Sequence, residues 1–534
     1  MPDAAAPDER FRHPSFWTGR WVRGLVVALV LLAGLRAAWG WSVERKVRAQ
    51  WDAARQRGEA TGAAEIRLSS PPTNEDAWPV VVRAIAALVP SVESPRQSNL
   101  EYTAYPPYGP KWYALAEAAE KAHGPAFATA RQARSFPLAR LRDKVDLSRN
   151  MPSADYNGAR ELSNLLVDGA QLAEVKGNHA EAVERLRDAW HVARCVRQDP
   201  WLVAQLVAMG IDSMVCNGAL IIGPGLDLRE STPTGPATRA AVRGLIADLL
   251  AEQPDADAMV ATMAAERLMA ESVTRDVGGP RWVLHPLREA QMLRANAIFP
   301  AAADAVRRPD WPAARSARID HPRNARGDEH AALIAAYGPD AGSAVMPVYH
   351  HWFDWAYPSP NRAVEYYFRG LAERRMTAAA LAGQLFRADH SRWPASLAEL
   401  APAYLPAVPR DPFRADGGAI GYAVLPKALP GGGGDRPLLS SEYANVNTDY
   451  AARWREPFYE WSWRESADGK YVSDAVRQYR DLARFRPADV PIKEYDRYDP
   501  PDPDAAVPPP SPSPAEPVRP QPDEPGGPRQ DKQE

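Results

Sequence analysis

The sequence predicts a mainly α-helical protein: an N-terminal single transmembrane helix, a helical, hairpin-type middle domain, a small α+β C-terminal domain and a disordered Pro-rich tail. Three observations carry that prediction. Apolar residues run unbroken from Gly24 to Leu35, small and aliphatic residues recur at helical spacing across the middle, and short strand-like text appears late in the chain between Pro and Gly punctuation. The chain divides on this basis into a short segment (1–20), a transmembrane anchor (21–41), a helical stem (42–72), a helical domain (73–358), an α+β domain (359–485) and the tail (486–534).

Alone, Gly24–Leu35 is too short to cross a bilayer. Continued through Ala37, Ala38 and Trp39, it reaches about 20 residues, the length a ~30 Å hydrocarbon layer needs. Arg36 lies close enough to the end to snorkel to the headgroups, and Trp39 and Trp41 match Trp17 and Trp21 as an aromatic belt. Residues 21–41 are therefore expected to contact membrane lipid. Two other readings stay open: a buried soluble helix, and a cleaved signal peptide with Ala38-Trp39-Gly40 as its small-x-small site. Against cleavage stand the long leading region and the bulky Trp41 after the cut. Arg10, Arg12, Arg20 and Arg23 before the run nearly balance Arg45, Lys46, Arg48, Arg55 and Arg57 after it, so charge does not set orientation. By analogy with most signal anchors, the expectation is a single pass through a bacterial inner membrane with the bulk of the chain periplasmic.

At 534 residues there is room for two or three domains, and a net charge of −3 gives no electrostatic case for nucleic acid. Cys195 and Cys216 cannot make a disulfide framework and form no CxxC pair; they read as small core residues, with a bond to each other as the alternative.

The stem continues as a charged, Ala-rich helix to a turn at Ser70–Asn74. A helix follows on Ala77, Val80, Val81, Ala84, Ile85 and Leu88, with Pro79 in its first turns, and then an irregular Tyr/Pro-rich loop from Pro90 to Pro110. Leu162, Leu165, Leu166, Gly169, Ala170 and Ala173 share a helix face; Gly177-Asn178 breaks it, and Ala182, Leu186, Ala189 and Ala193 start another. This pair resembles one tetratricopeptide-type hairpin, but no second copy occurs at a fixed period, so a generic helical hairpin is the expectation. Trp201–Leu220 is apolar nearly all round; Gln205, Asp212, Ser213 and Asn217 argue for a core helix over a second span. After a turn at Thr232–Pro236, helices are expected over 242–250, 259–269 and 287–298, and a long Arg/Pro-rich surface loop over 300–330.

Ser359-Pro360 reads as an N-cap and a first-turn proline for a helix running to Leu385. Phe386-Arg387-Ala388-Asp389-His390-Ser391-Arg392-Trp393-Pro394 follows, then Ser396-Leu397, Leu400, Tyr404-Leu405, Pro409-Arg410-Asp411-Pro412-Phe413 and a strand over Ile420–Val424. This order of helix, proline-punctuated turn and short strands resembles the soluble part of type II secretion pseudopilins over residues 361–425. That resemblance implies a helix joined to a small sheet. It does not imply pilus assembly, because the block lies far from the apolar run and no prepilin cleavage motif occurs near Gly24. The whole arrangement, with its Asn74-Glu75-Asp76-Ala77 helix start, is similar to a group of membrane-anchored helical proteins from planctomycete-type bacteria, a likeness that implies architecture and no chemistry.

Few residues suggest a site. His350, His351 and Asp354 (HHWFD) form the best metal-like cluster, but adjacent helical histidines diverge by about 100° and the aromatic setting suits packing better. Glu442, Asn445, Asn447 and Asp449 could hold a hard cation as some pseudopilin loops do, with a solvated loop as the plainer reading. His390 is expected to cap or pack the end of its helix. Ser440 and Ser441 lack a nucleophile elbow, and Gly431–Gly434 lacks the residues of a phosphate loop. A helix over Val472–Leu482 and a polyproline-rich tail complete the reading. No catalytic, cofactor or metal residue is assigned. The expected role is structural or protein-interaction at the envelope, with an unidentified protein partner; the alternatives are a secretion-system accessory and a metal-dependent hydrolase built on His350, His351 and Asp354.

Overall fold

The apolar run and the charged stem form one helix. In the computed structural model, which describes residues 20–66, 68, 71–72, 74–95, 110–142, 147, 154–276, 281–317, 360–425 and 436–442, α1 spans Arg20–Gln56 without a break. It stops well short of the expected turn at 70–74. Gly58, at φ +72, takes the left-handed conformation, and the Glu59 N–H returns to the Ala54 carbonyl at 3.0 Å, closing the helix as a Schellman motif does.

The next helices follow the hydrophobic spacing. α2 (Trp78–Ala86) buries Trp78, Val80, Val81 and Ala84, and the Asp76 carboxylate accepts the Trp78 N–H at 3.0 Å at its start. α3 (Pro110–Ala133) was not anticipated: its face is mostly alanine, and Gly124-Pro125 interrupts it in sequence but not in structure. α4 (Ala154–Val175) and α5 (His179–Arg197) are the expected antiparallel hairpin. Gly177 at φ +80 makes the turn, and the Asn178 N–H bonds to the Ala173 carbonyl at 2.8 Å. α6 (Leu202–Ile222) lies against both.

α7 (Gly235–Leu250), α8 (Gln253–Asp276) and α9 (Arg281–Val306) follow. The loop expected over 300–330 is corrected in its first part. α9 runs through Pro300 to Val306, and α10 (Trp311–Ala317) comes next. Phe299, Ala302, Ala303, Ala305 and Val306 are buried, so apolar burial offsets the hydrogen bond that Pro300 removes. Asp310 starts α10 by accepting the Ala313 N–H at 2.8 Å, and Trp311 packs on Phe368 and Phe413 with ring centroids 6.0 and 6.2 Å away.

α11 (Pro360–His390) opens on its proline as expected and buries a long stripe from Val364 to Phe386. It packs against α6, α7 and α9, and one hydrophobic core takes in residues from α1 through α11 together with Leu439. That core takes in residues on both sides of position 359. β1 (Gly421–Leu425) and β2 (Arg436–Ser440) form an antiparallel pair in which Tyr422 faces Leu439. The Gly431–Gly434 turn, the Val472–Leu482 helix and the tail lie outside the described residues.

Candidate functional site

α1 has two halves of different character. Leu25, Val27, Leu29, Leu31 and Leu35 are all more than half exposed, whereas Val43, Val47, Trp51 and Ala54 are buried at spacings of four, four and three residues. The buried half lies on α9, and the two helices run parallel. Gly40 meets Pro286 at 3.4 Å, counted from where its Cβ would stand, Gln50 Nε2 donates to the Leu293 carbonyl at 3.4 Å, and Arg57 feels the charge of Asp304. α8 adds the Arg267 guanidinium, which lies 4.8 Å over the Trp51 ring and donates to Glu59 (2.6 Å) and the Ala60 carbonyl (2.7 Å). Burial pushes the Glu59 carboxyl up, but the bonds from Arg57 and Arg267 outweigh it and its pKa falls below the ordinary value.

A second arrangement occupies the middle of the body. Arg197 on α5 donates to Asp212 on α6 and lies 3.1 Å from Asp255 on α8; Arg374 on α11 donates to Asp255. Arg374 also donates to the last carbonyls of α7, Leu249 at 2.9 Å and Ala251 at 3.2 Å, and lies 4.9 Å over Trp190. All four charged residues are buried. Two cations and two anions close a neutral chain across four helices. Its energetic weight is on which helices meet, because losing one member strands a buried charge. Close by, Glu266 on α8 accepts the Leu202 N–H at 2.7 Å and so caps α6 from outside; burial pushes its carboxyl up to about 7.

A cavity of about 680 Å³ lies where the end of α1 meets α8, α9 and α11, its wall including Met263, Arg267, Phe299, Tyr367, Arg375 and Glu252. Three pairs of charged groups on this wall bond to each other: Arg375 to Glu252 at 2.5 and 2.7 Å, Arg57 to Glu59 at 2.6 Å and Arg307 to Asp304 at 2.8 Å.

The residues singled out from sequence fall as follows. Cys195 and Cys216 are buried free thiols. His191, not anticipated, lies one helical turn before Cys195 with Nε2 3.5 Å from Sγ. The pair is no activated nucleophile: burial raises the Cys195 thiol to about 12 and lowers His191 to about 4, so both are neutral near pH 7. His390 packs its ring on Phe386, 4.2 Å between centroids, at the end of α11. Beside it Asp389 accepts two bonds from Arg239 of α7, at 2.8 and 2.9 Å, and one from the Tyr404 hydroxyl at 2.6 Å. Ser441 donates to the buried Asp411 at 2.7 Å, and Asp411 also accepts the Phe413 and Glu442 N–H groups at 2.9 and 2.7 Å. Glu442 is paired with Arg414 at 2.9 Å. The distinctive late text thus closes α11 and fastens the strands. His350, His351 and Asp354, and Asn445, Asn447 and Asp449, lie outside the described residues; among those described, no three His, Cys, Asp or Glu side chains are grouped as metal ligands.

Comparison with protein-family models, with curated proteins and with solved structures gives no match to this chain.

Proposed function

We propose that this protein is a single-pass, membrane-anchored envelope protein of structural or protein-interaction type, holding a helical body at the bilayer surface. The observation that carries the reading is the continuity of α1: its apolar first part is unburied over an 18-residue window, while the same helix is stitched by its second half into the core. Gly40, the last residue of the small-x-small site, lies inside α1 against Pro286, so cleavage there would divide a helix that otherwise continues into the core.

The test is alkaline extraction of membranes from cells making the full-length protein, with N-terminal sequencing of the mature chain. Retention in the pellet with the residues before Gly40 still attached supports the anchor; a soluble chain beginning at Trp41 overturns it. Cross-linking in native membranes followed by mass spectrometry then tests the interaction role, for which a stoichiometric protein partner is expected. Recovery of secretion components would favour the accessory reading, and recovery of the chain alone would count against a partner.

A further inference from the structure

The cavity at the end of α1 has on its wall a polar group that the fold does not use. Tyr367 on α11 is only 9% exposed, and its ring stands edge-on to Phe368 with centroids 5.4 Å apart. Among the described residues its hydroxyl has no hydrogen-bond partner. That hydroxyl feels the charges of Glu252 and Arg375, which share the cavity wall with it. Burial pushes the Tyr367 pKa up to about 12, and the charges of Asp255 and Glu252 add to the effect. Near pH 7 it is therefore a neutral donor with no acceptor, and an acceptor on a bound molecule would satisfy it.

Most charges around the cavity are committed. Arg57 and Arg267 both bond to Glu59, Arg307 to Asp304 and Arg375 to Glu252. Glu65 accepts the Thr61 N–H at 2.6 Å and the Thr61 hydroxyl at 3.2 Å. Two groups are left over. Arg308, exposed just past the end of α9, has no ion pair or side-chain hydrogen bond among the described residues. Asp257, exposed near the start of α8, accepts only the Gln253 amide, at 3.0 Å. α8 and α9 follow each other closely in the chain and pack together, so the start of one and the end of the other lie at the same end of an antiparallel pair. Both charges belong to the one cavity. Along α8, Ala256, Val260 and Ala264 line it at four-residue spacing and are all half-buried. This is one helix face, and its short side chains leave the space open over an apolar floor.

We propose that this cavity binds a free short peptide. An amide carbonyl of the peptide accepts the Tyr367 hydroxyl, an apolar side chain lies on the stripe of Ala256, Val260 and Ala264, and the terminal carboxylate and ammonium meet Arg308 and Asp257. The volume of about 680 Å³ is that of a small-ligand site. The charges choose the ligand. A phosphate-bearing molecule needs several uncommitted cations, and the described wall has one; a fatty acid would leave Asp257 unmatched. Nothing in this inference rests on the membrane anchor.

The experiment is isothermal titration calorimetry on the full-length protein in nanodiscs. The probes are the tripeptide alanyl-leucyl-alanine, the same peptide acetylated and amidated at its ends, and dodecanoate. The free tripeptide is expected to bind, and the capped form to bind at least about fivefold more weakly. Tyr367→Phe, which removes only the hydroxyl, should weaken the free peptide about fivefold. Arg308→Gln and Asp257→Asn should weaken it about threefold each, and Ala264→Trp, which fills the floor, should abolish binding. The two exposed positions keep the test decisive if Ala264→Trp fails to fold. No heat from the free peptide at millimolar concentration overturns the proposal, as does binding unchanged by Tyr367→Phe and by both charge variants. Equal affinity for the capped form would point to an internal stretch of a protein chain and overturn the free peptide. Tighter binding of dodecanoate would overturn it in favour of a lipid.

Discussion

An 18-residue window in the first part of α1 and one in α6 are nearly equal by mean hydropathy, 1.8 against 1.7, yet the α1 window is 0% buried and that of α6 56% buried. Apolar content alone therefore does not place a helix. The difference lies in the few polar side chains. In α6, Gln205 donates to the Arg197 carbonyl at 2.8 Å, Ser213 to Glu373 at 2.8 Å, and Asp212 accepts from Arg197. Each has a partner on another element or preceding turn, so α6 is written for a protein interior. In α1 between Gly24 and Leu35 no side chain asks for such a partner, as the proposed lipid setting requires.

The widest test of this contrast is Asp212→Leu. It makes α6 still more apolar, but leaves two buried arginines sharing one carboxylate, and is expected to cost about 3–5 kcal/mol, read by urea denaturation of the detergent-solubilised protein. Next is Glu266→Gln at the start of α6. The unfolded carboxyl loses its proton near 4.5 while the folded one keeps it to about 7; between those values the folded state binds more protons, so stability falls as pH rises and the penalty is constant above 7. Glutamine still accepts the Leu202 N–H without that penalty. The variant should gain up to ~3 kcal/mol at pH 8 and nothing at pH 4, seen as a Tm difference that opens across this window. Gly218→Ala comes third: a Cβ there would stand 2.9 Å from Val167 Cγ1 and 3.0 Å from Leu186 Cδ2, and overpacking α6 against the α4–α5 hairpin should cost about 1–3 kcal/mol. The smallest effect on folding belongs to Leu31→Arg, which should change the body's stability by under ~0.5 kcal/mol. The same charge should cost about 3 kcal/mol of membrane insertion, measured as the fraction retained after alkaline extraction. A large loss of folding stability there would mean that α1 is a core helix like α6.

How much of this was legible in the sequence follows physical lines. The apolar run, the α4–α5 hairpin with its glycine turn and the proline start of α11 rest on local spacing and local turn chemistry, and these can be read directly. The stop of α1 was misplaced although its signal, Gly58, was in plain sight; the Ala-rich text beyond it keeps helical propensity without a helix. α3 and the end of α9 were missed because interior prolines suggested breaks that tertiary burial overrode. The chain of Arg197, Asp212, Asp255 and Arg374 was not readable at all. Its members are spread over 178 residues of sequence and have no spacing in common; only the packing of four separate helices brings them together. The DHSRWP and PRDPF text stood out correctly, but for structural chemistry: Asp389 and Asp411 are hydrogen-bond hubs of the fold.

The unbroken course of α1 has one more consequence. Its 37 residues make a strut of ~55 Å, and without a joint between the proposed bilayer segment and the core the body has no tether to swing on. A flexible linker would let the body sweep a hemisphere of solvent. On the proposed anchoring, a strut would confine it to a thin slab with one face toward the lipid. For a partner diffusing in the same membrane, that confinement raises the effective concentration of the correctly oriented surface without any added contact, so weak complementarity on the side of the body would suffice for assembly in the plane of the bilayer.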